Sequence, residues 1–162
     1  MRIATKSSKL NISKLENTKK IADIFAKNIL KGDVILFYGE IGVGKTTFIK
    51  FLVNSLEKID KKNISEITSP TFSLMNQYKL NKFDIHHYDL YRLKSEKDIL
   101  SLNIFEDISD KIVLIEWPEI LGEHKPRNTI DINFEYGENF NSRYLTISAY
   151  EKLKIFDEFK SL

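Results

Sequence analysis

The chain contains no cysteine. That absence excludes a disulfide framework, a thiolate metal site and a thiol nucleophile. It also lacks any apolar run near the roughly 20 residues that span a bilayer. Its opening, Met1-Arg2-Ile3-Ala4-Thr5-Lys6, has no apolar centre of the kind a secretion signal carries. Neither sign of charge dominates, since 25 basic and 23 acidic residues leave a net charge of +2. Such a balance gives no electrostatic footprint for nucleic acid, and the basic cluster at residues 58–62 reads as solvated loop. No internal repeat, low-complexity tract or Pro/Gly/Ser linker divides the chain. One domain over residues 1–162 is expected, soluble and cytoplasmic, with 42% apolar content enough for a core.

Glycine is scarce as well, and three of the six glycines fall between positions 39 and 44. There Gly39-Glu40-Ile41-Gly42-Val43-Gly44-Lys45-Thr46, followed by Thr47, matches G-x-x-x-x-G-K-[ST], the phosphate-binding P-loop. Gly39, Gly42 and Gly44 let the backbone fold tightly enough to point its N–H groups inward at a phosphate. Lys45 brings a point charge to the β- and γ-phosphates. The Thr46 hydroxyl is short enough to ligate the Mg²⁺ that bridges them. The flanks agree, because residues 33–38 read as a buried strand and residues 46–56 as a helix facing the anion with its N-terminus. One chance match is expected in roughly a hundred chains of this length, and the strand and helix make accident rarer still. The chain is read as nucleotide-binding, with Mg²⁺ bridging the phosphates.

In order, the pattern predicts a short strand at residues 9–12 and a helix over 17–30, its apolar face built from Ile21, Ala22, Ile24, Phe25, Ala26, Ile29 and Leu30. The P-loop helix should turn Phe48, Ile49, Phe51, Leu52 and Leu56 to the sheet, and the polar residues 57–65 should end it. Strand-like alternation runs from 67 to 91. Ser95-Glu96-Lys97-Asp98 resembles a capped helix start, and a short helical turn is expected over 103–108. Ile112-Val113-Leu114-Ile115 suits a parallel strand covered on both faces. Residues 129–136 and 143–150 alternate as an antiparallel pair around Gly137-Glu138-Asn139, and a C-terminal helix is expected over 151–159. The fold class is α/β, a P-loop NTPase-like domain with a mixed central sheet and helices on both faces.

A P-loop needs a carboxylate at a neighbouring strand end, to hold Mg²⁺ or to orient the attacking water. Glu116 follows four apolar residues, and Asp89 closes a more polar strand nearer the edge. Both fit, one for the metal and one for water. His86 and His87 are adjacent, so on a strand they face opposite ways and serve packing or hydrogen bonding. Ser69 and Thr71 fit two readings, turn formation or a switch-like segment that senses the γ-phosphate. Trp117 fits either core or a stacking place beside the nucleotide. Arg92 and Arg143 fit either a phosphate or a neighbouring carboxylate.

Gly39 to Phe48, Ser69-Pro70-Thr71-Phe72, His87-Tyr88-Asp89-Leu90-Tyr91-Arg92-Leu93 and Ile115-Glu116-Trp117-Pro118-Glu119 resemble, in order and spacing, the motifs of the TsaE (YjeE) family. Glu40-Ile41 stands where that family usually has Asp-Leu, and Val43 where it often has Ala. The resemblance implies an ATPase of bacterial tRNA modification, acting with TsaB and TsaD in making N6-threonylcarbamoyladenosine (t6A). It implies that ATP binding and hydrolysis reset the TsaB–TsaD assembly, and the balanced charge leads us to expect tRNA contact through those partners. The resemblance also implies that Thr46 and Glu116 ligate Mg²⁺, Lys45 holds phosphate, and Asp89 is a second catalytic carboxylate. Trp117 then lies beside the nucleotide, and Ser69 and Thr71 form the switch-like segment; Arg143, outside the matched motifs in a part that matches the family weakly, is assigned as a further nucleotide contact. Two rival readings are a small-molecule or nucleotide kinase and a nucleotide-gated interaction module. A kinase usually brings an arginine-rich lid, which this arginine-poor chain does not offer.

Overall fold

The run Ile112-Val113-Leu114-Ile115 can be buried whole only in a strand covered on both faces. The computed structural model, which describes residues 5–150 and 153–162, places it in that setting. The elements are β1 (Thr5–Lys6), β2 (Leu10–Asn11), α1 (Leu15–Asn28), β3 (Val34–Tyr38), α2 (Lys45–Ile59), β4 (Met75–Lys79), β5 (Asp84–Asp89), α3 (Glu96–Ser101), β6 (Lys111–Glu116), β7 (Ile130–Tyr136), β8 (Arg143–Ala149) and α4 (Leu153–Phe159). Two 3₁₀ segments, Ile108–Asp110 and Pro118–His124, flank β6. All but one strand run in the order β1-β8-β7-β3-β6-β5-β4, and β2 also pairs with β8. The centre is parallel, with β3 beside β6 and β7, and β5 beside β6. Antiparallel strands close both sides, β4 on β5 and β8 on β7. The expected mixed sheet is present.

Alternate residues of the central strands enter two separate cores. Ile35 and Phe37 of β3, with Ile112 and Leu114 of β6, pack with α1 and α2. Val34 and Leu36, with Val113 and Ile115, pack on the other face against Leu90, Ile99, Ile104 and Leu121. The larger core centres on Phe48, fully buried, whose ring lies 6.0 Å from those of Phe25 and Phe37 and 5.9 Å from that of Phe134. This packing fixes α2 against the sheet at the level of its first turn. The start of α3 is fixed locally: Asp98 N–H donates to Ser95 Oγ and Ser95 N–H donates to Asp98 Oδ2, a capping box.

Several boundaries differ from the pattern. α1 runs from 15 to 28, two residues earlier than expected, and Ile29 is extended. Leu30, whose N–H donates to Asp33 Oδ2 (2.7 Å), is 65% exposed and adds nothing to the apolar face. α2 continues through Glu57 to Ile59, and Glu57 is buried because its carboxylate accepts the Ser65 N–H at 2.9 Å. The alternation from 67 to 91 resolves into two strands preceded by an irregular segment over 66–74. Hydrogen-bonded turns fill 102–107, where a short helical turn is expected over 103–108, and lead into the 3₁₀ segment at 108–110; the 3₁₀ segment after Trp117, which opens on Pro118, is not among the expected elements. Glu151 of the expected C-terminal helix lies outside the described residues. Among the described residues no helix is long and apolar enough to cross a membrane.

Phe48→Ala should lower unfolding free energy by about 3–5 kcal/mol. Leu30→Ala should stay within about 0.5 kcal/mol of wild type. Urea denaturation measures both, and a core-sized loss at Leu30 would contradict the helix end at Asn28.

Candidate active site

Parallel strands end together, so their last residues share one rim of the sheet, where α/β folds bind ligands. Here that rim carries Tyr38 from β3, Asp89 from β5, Glu116 from β6 and Tyr136 from β7. Asp89 and Glu116 are paired in register, and both are buried. The chain leaves β3 through Gly39 (φ 137°), turns at Gly42 (φ 75°) and enters α2 from Gly44 (φ 120°). A Cβ at Gly39 would lie 2.7 Å from the Phe134 carbonyl oxygen, so this close approach to β7 needs glycine.

No side chain caps α2, and its first turn carries no acidic residue. Its leading N–H groups therefore have no partner within the helix and face a cleft. Ile41, Gly42, Gly44, Lys45, Thr46, Thr47, Ser69, Thr71, Asp89, Tyr91, Glu116 and Trp117 line it. Glu40 contributes a carbonyl instead, and Val43 is buried beneath the loop.

Lys45 is only 4% exposed. Its ammonium donates to the carbonyl oxygens of Gly39 (2.6 Å) and Glu40 (2.8 Å) and lies 4.1 Å from the centre of the Trp117 ring. All three partners are neutral. Burial pushes the ammonium below the usual lysine range, while the nearby charges of Glu116, Glu119 and Asp89 pull it back up. Trp117 holds this place from a left-handed backbone (φ 58°, ψ 53°), which a bulky residue adopts at a cost of about 1–3 kcal/mol. Tyr91 packs on its indole, ring centroids 4.7 Å apart.

The two carboxylates are held differently. Thr46 Oγ1 donates to Glu116, 2.9 Å from Oε2 and 3.1 Å from Oε1, and His87 Nε2 lies 2.8 Å from Oε1. Asp89 Oδ2 accepts from Ser69 Oγ (2.8 Å) and Thr71 Oγ1 (3.2 Å), and Oδ1 accepts the Tyr91 N–H (3.0 Å). The residues read as switch-like are thus latched onto the second carboxylate. Arg92 steadies the same segment, donating from Nη2 to the Phe72 carbonyl at 2.7 Å.

Among the described residues no group of three or more His, Asp and Glu side chains could hold a metal alone. Thr46 and Glu116 instead offer hard oxygen donors in a pair. That donor set fits a Mg²⁺ whose other ligands are water and phosphate oxygens.

The sequence-predicted residues converge except for the two arginines: Arg92 meets the Phe72 carbonyl and ring rather than the cleft or a carboxylate. Arg143, at the start of β8, does not line the cleft; its guanidinium lies 5.7 Å from the Tyr136 ring centre. Tyr136 in turn donates its hydroxyl to the Ile41 carbonyl at 3.2 Å, so Arg143 touches the loop at one remove. Sequence reasoning gave no role to Tyr91 or Tyr136. Their signal was weak: Tyr91 sits two residues past Asp89, and Tyr136 is the cross-strand partner of Arg143.

Strand, glycine loop, helix and two rim carboxylates define an α/β domain of the P-loop class. A family model described as "Threonylcarbamoyl adenosine biosynthesis protein TsaE" matches residues 12–145. The chain belongs to the TsaE family. It is similar to proteins named "tRNA threonylcarbamoyladenosine biosynthesis protein TsaE" from several bacteria. With that of Rickettsia conorii it shares 37% identity over 137 residues, covering 85% of this chain and 75% of the relative. With that of Nostoc it shares 34% over 149 residues, covering 88% and 86%. With that of Bacillus subtilis it shares 32% over 118 residues, covering 72% and 70%. The fold is also that of the crystal structure of YdiB from Bacillus subtilis, with TM-score 0.72, 22% identity, and 99% and 98% of the two chains covered.

Gly39→Ala should destabilise the protein more than Gly42→Ala. At Gly39 the new Cβ meets a backbone carbonyl at 2.7 Å, whereas at Gly42 it meets the movable Tyr136 hydroxyl at 3.4 Å. Melting temperatures of the two variants give the order, and the reverse order would contradict the loop geometry.

Proposed function

We propose that the chain is a Mg²⁺-dependent ATPase that supports t6A modification of tRNA. In this reading it acts in the cytoplasm with TsaB and TsaD, resets their assembly by ATP turnover, and meets tRNA only through them. The observation that carries the reading is the setting of Lys45. A buried ammonium whose direct partners are all neutral has no counter-charge in contact, since the carboxylates of Glu116, Glu119 and Asp89 act on it without bonding to it, and it sits at an uncapped helix N-terminus whose N–H groups also favour an anion. A triphosphate supplies what both lack. Family membership supports the tRNA role.

Lys45 would exchange the Gly39 and Glu40 carbonyls for phosphate oxygens, and Trp117 would lie beside the bound nucleotide. Thr46 and Glu116 would hold the Mg²⁺, which when bound offsets the phosphate charge. The Thr46 hydroxyl donates its hydrogen to Glu116, which leaves its oxygen lone pairs free on the cleft side. Asp89 would orient the attacking water and take its proton. Its Oδ1, which accepts only the Tyr91 N–H, has room for that water, while Oδ2 ties the Ser69 and Thr71 segment to the same carboxylate, which would couple hydrolysis to that segment. Among the described residues no arginine lines the cleft. That supports slow turnover in the isolated protein and weighs against a kinase with an arginine lid.

Phosphate release from Mg·ATP should be slow for the protein alone, rise with TsaB and TsaD together, and vanish in Lys45→Ala. Glu116→Ala should lose turnover and the Mg²⁺-dependent part of the affinity, yet keep metal-free ATP binding. Equal rates with and without the partners, or ADP formed without free phosphate in the presence of an acceptor, would overturn the reading.

A further inference from the structure

His87 and Asp89 lie two residues apart on β5, so they point to the same face, the one that meets Glu116. His87 is fully buried, and Glu116 is 2% exposed. Their contact, Nε2 to Oε1 at 2.8 Å, has the carboxylate oxygen as acceptor, so Nε2 carries the hydrogen. The other ring nitrogen, Nδ1, has no hydrogen-bond partner among the described residues. The imidazole is therefore buried at the expense of one unpaired polar atom, at a position where an apolar side chain would pack without that penalty. What the imidazole provides is a single aimed N–H.

We propose that His87 is a positioning residue for Glu116, fixing the carboxylate so that Thr46 and one free oxygen lone pair face the cleft. The geometry is a two-sided hold. From the strand side His87 donates to Oε1, and from the helix side the single Thr46 hydroxyl hydrogen is shared by the two oxygens, nearer Oε2 at 2.9 Å than Oε1 at 3.1 Å. The carboxylate keeps acceptor capacity beyond both. Without the His87 hydrogen bond the carboxylate is free to rotate about its terminal torsion, which is intrinsically soft. Thr46 would follow, because its hydroxyl is aimed by the same carboxylate. Neighbouring His86 cannot substitute, since it points to the opposite face of β5. Partners that orient a metal-binding group in this way typically change metal affinity or activity by about 10–100-fold.

The inference rests on the reading of Thr46 and Glu116 as the Mg²⁺ pair, and its test separates the two. First, ¹⁵N-histidine NMR of the wild-type protein without nucleotide should show a hydrogen on His87 Nε2 that is protected from exchange. A bare Nε2 would overturn the proposal whatever the protein binds. Second, calorimetric titration of ATP with and without Mg²⁺ should separate the metal-dependent part of the affinity. His87→Leu should weaken binding in the presence of Mg²⁺ by about tenfold or more, leave metal-free binding unchanged, and reduce kcat. His87→Gln, which restores an N–H donor of similar reach, should recover most of the loss. Leu and Gln variants that behave alike, or a Leu variant equal to wild type, would reduce His87 to a packing role. If His87→Leu does not fold, the Gln variant and the NMR signature still decide. A wild-type protein that binds no ATP would instead sink the ATPase reading and leave the NMR result to judge His87.

Discussion

An ammonium that is almost wholly buried and touches only neutral groups is the constraint on which the rest of this site depends. Lys45 belongs to the first turn of α2, so its position is set by how that helix packs, and Phe48 one turn later anchors the helix in an aromatic core. The loop before it is short and must reverse between β3 and α2 while passing against β7, which is why Gly39 has no room for a side chain. The loop carbonyls and the Trp117 ring then hold the ammonium in readiness. None of them carries a counter-charge, and the carboxylates of Glu116, Glu119 and Asp89 act on the ammonium without bonding to it, so it makes no direct ion pair until an anion enters.

The sheet converts this single requirement into a cleft. Because β3, β5 and β6 are parallel, the loop and the two carboxylates emerge at one rim, with Asp89 and Glu116 in register. Glu116 faces the helix and is tied to Thr46, whereas Asp89 faces the irregular segment and is tied to Ser69 and Thr71. The two acids thus belong to different mechanical units, one rigid and one attached to a loop. That division gives a physical basis for separating a metal-holding role from a role that changes with nucleotide state.

Much of this was legible in the sequence because it is locally encoded. The glycine spacing specifies the loop, the continuous apolar run of β6 specifies a strand buried on both faces, and each rim carboxylate directly ends its strand. What was not legible depends on partners distant in the chain. The burial of Glu57 follows from a hydrogen bond to a loop eight residues on, and the early end of α1 follows from Asp33 capturing the Leu30 N–H. Composition likewise cannot show that Ser69 and Thr71 bind Asp89, twenty and eighteen residues away. Arg143 marks the same limit. Its type invited a phosphate contact, yet its cross-strand partner Tyr136 decides where its guanidinium rests.

The central claim is that the Lys45 ammonium leaves its neutral partners for a nucleotide phosphate. Trp117, the single tryptophan of the chain, reports on that exchange directly because its ring lies 4.1 Å from the ammonium. The measurement is an ATP titration followed by tryptophan fluorescence, in wild type and in Lys45→Ala. The account predicts a saturable change in emission for wild type and none for the variant. An identical saturable change in both, or none in a wild-type protein at millimolar ATP, would contradict it.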